Sequence, residues 1–220
     1  MVATEGWPKR IPGEDFHPAL RVAAKIISYI FHPLFIPLYI AFFLIYDLRL
    51  FPGASDWERT KLVISLFINY TFFPLVTILL MKALGFIDSI FLKTQRDRIL
   101  PYVVCEIFYF WAWYVVRNNH QPQLLVLFAL GIFLATSLAL ILNSYLKVSM
   151  HTLSLGVVVV FALLSGFMTD ISFGLYISIA LFIAGLTATA RLIGASHTPA
   201  EIYAGFFAGA LAQAIAYFFV

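Results

Sequence analysis

Seven apolar runs dominate the sequence, and most are close to the length that a helix needs to cross a bilayer. They cover residues 26–46, 62–84, 101–116, 124–142, 152–169, 173–190 and 201–220. A bilayer core takes about 20 apolar helical residues, and lipid offers the backbone no hydrogen-bond partners. The third run is the shortest, so six spans with one re-entrant or surface helix is an alternative to seven spans. We therefore predict an all-α, polytopic integral membrane helical bundle of six to seven transmembrane helices.

The composition excludes most classes of water-soluble protein. Hydrophobic residues make up 62% of the chain and charged residues 11%, whereas soluble domains have about 45–50% and about 25%. Nucleic-acid-binding proteins, ordinary cytosolic enzymes and disordered chains need more polar surface, and one cysteine, Cys105, cannot form a disulfide framework. We expect a polar N-terminal segment, 1–25, without the apolar core of a signal peptide. A single membrane domain, 26–220, would follow it in a multi-pass protein of the cell membrane.

Three polar segments that connect apolar runs, called joints here, are expected to meet at one membrane face. Two apolar runs separate each joint from the next, so the chain returns to the same face each time. These joints are residues 85–100, 143–151 and 191–200, and the N-terminus shares their face. The basic residues of that face are Lys9, Arg10, Arg21, Lys25, Lys93, Arg96, Arg98, Lys147 and Arg191. The opposite face has fewer, namely Arg49, Arg59, Lys61 and Arg117. The positive-inside rule would place the richer face in the cytoplasm.

The last joint contains the densest cluster of ionisable residues beside an apolar run. Arg191 and His197 precede the final run, and Glu201 follows His197 by four residues, which is about one helical turn. Ionisable groups at membrane depth are costly and indicate a functional site. A capping box formed by Thr198, Pro199 and Glu201 is the structural alternative. Capping would not account for Arg191 or His197.

The same stretch resembles the third signature of the type 2 phosphatidic acid phosphatase family, S-R-x5-H-x3-D. Arg191 and His197 match that signature, and Glu201 keeps a carboxylate where the family has Asp. Ala190 replaces the family's Ser. The likeness extends to Gly205, since this family usually has H-x-P-x-D-x-x-x-G.

The other two signatures of that family are degenerate here. The second, P-S-G-H, corresponds to Val148-Ser149-Met150-His151, which keeps only the Ser and the His. The first, K-x6-R-P, has Lys93 and the proline in register, but a leucine replaces its arginine. Either Arg96 or Arg98 would supply the guanidinium, or both belong to a basic loop that contacts lipid head groups.

The resemblance, over residues 93–209, implies an integral membrane phosphatase acting on a lipid phosphate monoester or diphosphate. It assigns His197 as the nucleophile of a phospho-histidine intermediate, His151 as the acid, and Glu201 as the group that orients His197. The implied phosphate-binding residues are Lys93, Arg191, Ser149, Arg96 and Arg98. The mechanism needs no metal and no cofactor, and the partners would be a phospholipid or isoprenoid phosphate and the bilayer, without nucleic acid.

Three other functions compete with this interpretation. A lipid phosphotransferase would use the same intermediate with an alcohol in place of water. The degenerate first and second signatures favour a non-catalytic membrane protein that binds lipid phosphates. A transporter is the weakest alternative, because transporters often have matched broken helices in both halves.

Several residues outside the signatures have structural interpretations. The spacing of Gly205 and Gly209 predicts close helix packing within the bundle, with a homodimer contact as the alternative. Glu106 is expected to hydrogen-bond a neighbouring helix, and His32 and His120 are interpreted as structural. Kinks are expected at the prolines of the first two runs, Pro33, Pro37 and Pro74.

Overall fold

A computed structural model describes residues 16–92 and 94–220, and within these ranges the chain has helices and no strands. The helices are α1 (Pro18–Ile30), α2 (Ile36–Phe42), α3 (Asp56–Phe67), α4 (Phe73–Ala83), α5 (Gln95–Asn118), α6 (Gln123–Leu142), α7 (Met150–Met168), α8 (Gly174–Ile193) and α9 (Pro199–Tyr217). A π-helical turn, Phe43–Asp47, extends α2, and another, Ile68–Phe72, joins α3 to α4.

The predicted helical membrane bundle is confirmed. Among the described residues, five helices are long and apolar enough to cross a membrane: the joined α3–α4, then α5, α6, α7 and α8. A shorter apolar helix, Ile36–Asp47, adds to them. Helix α9 has 19 residues but includes the polar residues Glu201 and Gln213, and it is not among the five.

The first predicted run is not one helix. Helix α1 ends at Ile30 and α2 begins at Ile36, so the run 26–46 is broken. Pro33 lies in the break, and a proline ring cannot continue the hydrogen-bonding of a helix. The predicted domain boundary at residue 25 also falls inside α1, which begins at Pro18.

The third run is longer than predicted. Helix α5 has 24 residues and continues through Pro101, so it is long and apolar enough to cross a membrane. Its first turn is polar and therefore lay outside the apolar run. Thr94 caps this turn by accepting a hydrogen bond from the backbone N–H of Asp97. The cap and the contacts of the first turn offset the hydrogen bond that Pro101 cannot make.

Helices α6 and α7 form the centre of the bundle, with 67% and 61% of their spans buried against 28% for α5 and 22% for α8. Helix α9 packs very closely on α7. A Cβ on Gly209 would overlap the carbonyl oxygen of Leu153, and one on Gly205 would lie 2.6 Å from the carbonyl oxygen of Ser149. The predicted packing within the bundle is confirmed, since both glycines face α7.

Hydrogen bonds join the start of α5 to the end of α6, and the start of α7 to that of α9, and Arg98 of α5 also donates to the oxygen of Val148, just before α7. The Gln95 side chain donates to the backbone oxygen of Asn143 at 2.7 Å, and the Asn143 side chain donates to the backbone oxygen of Gln95 at 2.8 Å. The backbone N–H of Ser149 donates to the carbonyl oxygen of Glu201 at 3.0 Å. Three helix N-termini and the residues beside them are thereby held at one end of the bundle.

Candidate active site

A cavity of about 1260 Å³ opens at this end of the bundle. The polar side chains that line part of it include Arg98 from α5, His151 from α7, Arg191 from α8 and His197 from the loop before α9. Apolar residues of α4 and α6 line another part, including Leu75, Ile78, Leu79, Ile132 and Ala135. The cavity therefore offers both a polar, basic region and an apolar one.

The three polar joints converge as the order of the spans predicted. Arg98 comes from the joint 85–100, His151 from 143–151, and Arg191 and His197 from 191–200. All four line the same cavity, although their joints are separated by pairs of membrane helices.

His197 is held by its neighbour one helical turn later. Its Nδ1 atom lies 3.0 Å from Oε2 of Glu201, and Thr198 caps α9 in a capping box with the same glutamate. A carboxylate only accepts hydrogen bonds, so the proton is on Nδ1 of His197. In the neutral imidazole, Nε2 therefore has the free electron pair.

The surroundings of His197 favour that neutral form. Its side chain is almost fully buried, at 3% exposed. Burial lowers the pKa of the His197 imidazole from its ordinary value, because a buried group loses the hydration that stabilises its charge. The positive charges of Arg98 and Arg191 also lower this pKa, and the hydrogen bond to Glu201 opposes them. The neutral imidazole, with an unprotonated Nε2, is therefore favoured at neutral pH.

His151 has its protonated nitrogen directed at helix α1. Ser149 caps the start of α7, and Nε2 of His151 lies 3.0 Å from the backbone oxygen of Ser28. A carbonyl oxygen can only accept, so Nε2 of His151 is the donor. The Nε2–H of His151 is therefore bonded to the backbone of α1.

Two guanidinium groups make this part of the cavity basic. Arg98 is buried and donates from Nε to the Leu92 oxygen at 2.9 Å and from Nη1 to the Val148 oxygen at 2.7 Å. Arg191 lies in the last turn of α8, and its buried Nε has no hydrogen-bond partner among the described residues. The two charges are close enough to act on each other. Such a pair attracts an anion to the cavity.

Three other residues proposed from the resemblance do not line the cavity. Ser149 is fully buried, and its hydroxyl accepts the hydrogen bond that caps α7, from the backbone N–H of Thr152 at 3.5 Å. Glu201 contacts His197 without lining the cavity itself. Arg96 is exposed and lies outside the cavity, so Arg98 is the arginine of this joint that reaches the site.

Some residues of the sequence interpretation lie outside the described part of the chain. These are the proposed phosphate ligand Lys93 and two basic residues of the same face, Lys9 and Arg10.

Sequence reasoning missed one histidine of the cavity. His32 lines it, and the ring centroids of His32 and His151 are 5.3 Å apart in an edge-to-face contact. The available signal was its place directly before Pro33 in an apolar run, where a helix break puts polar groups at membrane depth. Three basic residues that were assigned to this face but not to the site also line the cavity: Arg21, Lys25 and Lys147.

Glu106 has the structural role predicted for it. The Ser137 hydroxyl donates to its Oε1 at 2.5 Å, which joins α5 to α6, and Glu106 does not line the cavity.

Within residues 16–92 and 94–220, no group of three or more His, Cys, Asp or Glu side chains is arranged to hold a metal ion. Comparison with known proteins finds no matching family model, no matching characterised protein and no matching solved structure. The chemistry of the cavity is therefore inferred from its own residues.

Proposed function

We propose that this protein is a phosphatase of the cell membrane that hydrolyses a lipid phosphate monoester or diphosphate through a phospho-histidine. The observation that carries the proposal is a single cavity that is lined by arginines and histidines, among them Arg98, Arg191, His151 and His197, in one region and by apolar residues in another. A lipid phosphate has this same division into a charged head and an apolar chain. The volume, about 1260 Å³, exceeds the space that a phosphate group needs.

The two arginines bind the phosphate in this proposal. Arg191 has an unpartnered Nε, and a guanidinium can hold two phosphate oxygens in a fork. Arg98 is fixed by two backbone carbonyl groups, so its charge is already in place when the substrate arrives. The family resemblance adds Lys93 as a further cation.

His197 attacks the phosphorus atom with Nε2, and an N–P bond forms as the P–O bond to the lipid breaks. Glu201 stabilises the imidazolium, as a carboxylate does in other histidine-containing sites. His151, as the imidazolium, gives a proton to the departing lipid oxygen and becomes neutral. Water then attacks phosphorus and gives its proton to His151, the N–P bond breaks, and inorganic phosphate leaves.

The proton transfer from His151 requires its imidazolium form, because a neutral imidazole is too weak an acid to protonate a departing lipid oxygen. Its Nε2–H is bonded to the Ser28 oxygen, so the departing oxygen either takes the place of that carbonyl group or accepts from the Nδ1–H that the imidazolium adds. The same hydrogen bond favours a second candidate function, a non-catalytic protein that binds lipid phosphates, since it keeps the acid away from a ligand.

The decisive experiment measures phosphate release by the purified full-length protein in nanodiscs with a strong chelator present. The panel contains phosphatidate, phosphatidylglycerophosphate, a polyprenyl diphosphate and a sphingoid phosphate. We expect release from at least one lipid, and neither release nor a trapped phospho-enzyme from His197→Ala. The matched control is His120→Asn, because His120 is exposed and lies outside the cavity.

Three outcomes would change the proposal. Binding of these lipids without any phosphate release would support the non-catalytic function. Transfer of phosphate to an added lipid alcohol in preference to water would identify a phosphotransferase. Loss of activity on chelation, restored by a divalent cation, would contradict the histidine mechanism.

A further inference from the structure

His32 lies in the break between α1 and α2, and its hydrogen bonding fixes which ring nitrogen has the proton. The backbone N–H of Leu34 donates to Nδ1 of His32 at 3.3 Å. A nitrogen that accepts a hydrogen bond has no proton, so the proton of the neutral ring is on Nε2. His32 therefore has one N–H donor that its own turn does not use.

The break also brings His32 to the site. His32 lines the cavity, and its ring meets that of His151 at 82° with 5.3 Å between centroids. The charge of Arg191 acts on both rings. Because the Nε2–H of His151 is bonded to the Ser28 oxygen, His32 adds a neutral N–H donor to a region that holds the guanidinium cations of Arg98 and Arg191.

We propose that His32 is a further substrate-binding residue, which donates from Nε2 to a phosphate oxygen of the lipid. This inference rests on the proposed function and extends it to a residue outside the three signatures. A neutral donor fixed by the backbone stabilises the charge on phosphate oxygens without adding a flexible side chain. The break at Pro33 then has a functional consequence, since a continuous helix over 26–46 would not form the turn that holds this ring.

Ring packing is the competing role, because the His32 ring also lies 6.1 Å from that of Phe35. Three substitutions separate the two roles. His32→Phe keeps an aromatic ring but removes both nitrogens. His32→Gln removes the ring but keeps an N–H donor at about the reach of Nε2, and His32→Ala removes both features.

The first test measures kcat and KM for the best lipid of the panel. We expect His32→Phe and His32→Ala to lower kcat/KM by about 10²-fold, the loss typical of one donor to an oxyanion. His32→Gln should recover most of that loss, and His120→Asn should equal the wild type. Wild-type kcat/KM in His32→Phe, with a loss in His32→Gln, would overturn the proposal in favour of packing.

The second test does not depend on turnover and uses orthovanadate, a phosphate analogue. We expect orthovanadate to raise the Tm of the wild type and of His32→Gln, but not that of His32→Phe. This pattern without hydrolysis of any lipid would support the His32 site while contradicting the phosphatase proposal. Hydrolysis with the same kcat/KM in the wild type and in all three variants would support the phosphatase proposal and contradict the His32 site. A wild type that neither hydrolyses these lipids nor responds to orthovanadate would overturn both.

Discussion

The Nδ1 atom of His197 lies 3.0 Å from Oε2 of Glu201, and the same oxygen accepts a hydrogen bond from the backbone N–H of Thr198 at 3.0 Å. One carboxylate therefore closes the cap of α9 and orients the imidazole. The capping and functional interpretations of Glu201 describe a single arrangement. The cap places the carboxylate at a defined position relative to His197.

The charge of Glu201 can be tested apart from its cap. Glu201→Gln keeps an oxygen that can accept from Thr198 but loses the charge that stabilises an imidazolium. We expect turnover to fall by about 10²–10⁴-fold if this pair acts like other carboxylate–histidine pairs, with little change in Tm. The measurement is phosphate release together with thermal unfolding.

Two further substitutions serve as controls for Glu201. Thr198→Ala should cost about 1 kcal/mol of stability through the lost cap and have a smaller effect on turnover. Glu58→Gln alters the matching capping box of Ser55 and Glu58 at the start of α3, outside the cavity, and should leave turnover unchanged. Unchanged turnover in Glu201→Gln would show that Glu201 acts only in the capping box of α9.

Activity should depend on the shape of the cation at position 191. Arg191→Lys replaces a planar fork by a point charge, so we expect it to recover little of the activity that Arg191→Ala loses. Arg117→Lys is the control, because Arg117 contacts the Trp113 ring and lies outside the cavity. Initial rates at saturating and limiting substrate would test this, and near wild-type activity in Arg191→Lys would contradict the fork.

Alanine substitutions of Arg96 and Arg98 should have very different effects on phosphate release and Tm. Arg98→Ala removes a charge from the cavity and leaves the carbonyl groups of Leu92 and Val148 without this donor. Each buried group left unpaired costs about 1–3 kcal/mol, so both phosphate release and Tm should fall. Arg96→Ala changes an exposed residue and should alter stability by less than about 0.5 kcal/mol. Equal losses of activity in the two variants would contradict the assignment of Arg98.

The pH dependence of kcat/KM should follow the protonation of His197. Because burial lowers the pKa of His197 from 6.5, its Nε2 stays unprotonated at lower pH, and the acid limb should lie below pH 6.5. Glu201→Gln should move this limb further down, since the carboxylate favours the imidazolium and raises the pKa of His197. An acid limb that moves upward in Glu201→Gln would show that another group titrates.

The close packing of α7 on α9 can be tested with two glycines. Gly209→Ala would place a Cβ against the Leu153 carbonyl oxygen, and overpacking of this kind costs about 1–3 kcal/mol. Gly185→Ala, on α8, meets no atom within 4 Å and should stabilise the helix by up to about 1 kcal/mol. Thermal unfolding of both variants gives the comparison, and a stable Gly209→Ala would contradict the tight α7–α9 contact.

Short-range features of the site were predictable from the sequence. Arg191, His197 and Glu201 lie within one short segment, and a four-residue spacing is enough to place a carboxylate beside an imidazole. The order of the apolar runs also predicted that three distant joints share a membrane face. Both predictions follow from the periodicity of a helix and the thickness of a bilayer, which do not depend on packing details.

Hydrophobic pattern and residue spacing were enough to predict the class of fold, the polar residues at the helix ends and the face on which they meet. The packing of the helices decided that Arg98 rather than Arg96 reaches the cavity and that His32 joins it. It also decided that the partner of His151 is the Ser28 carbonyl group, 123 residues away in the chain. Such contacts depend on where α1 packs after the break at Pro33, and no local pattern specifies the direction in which a broken helix continues.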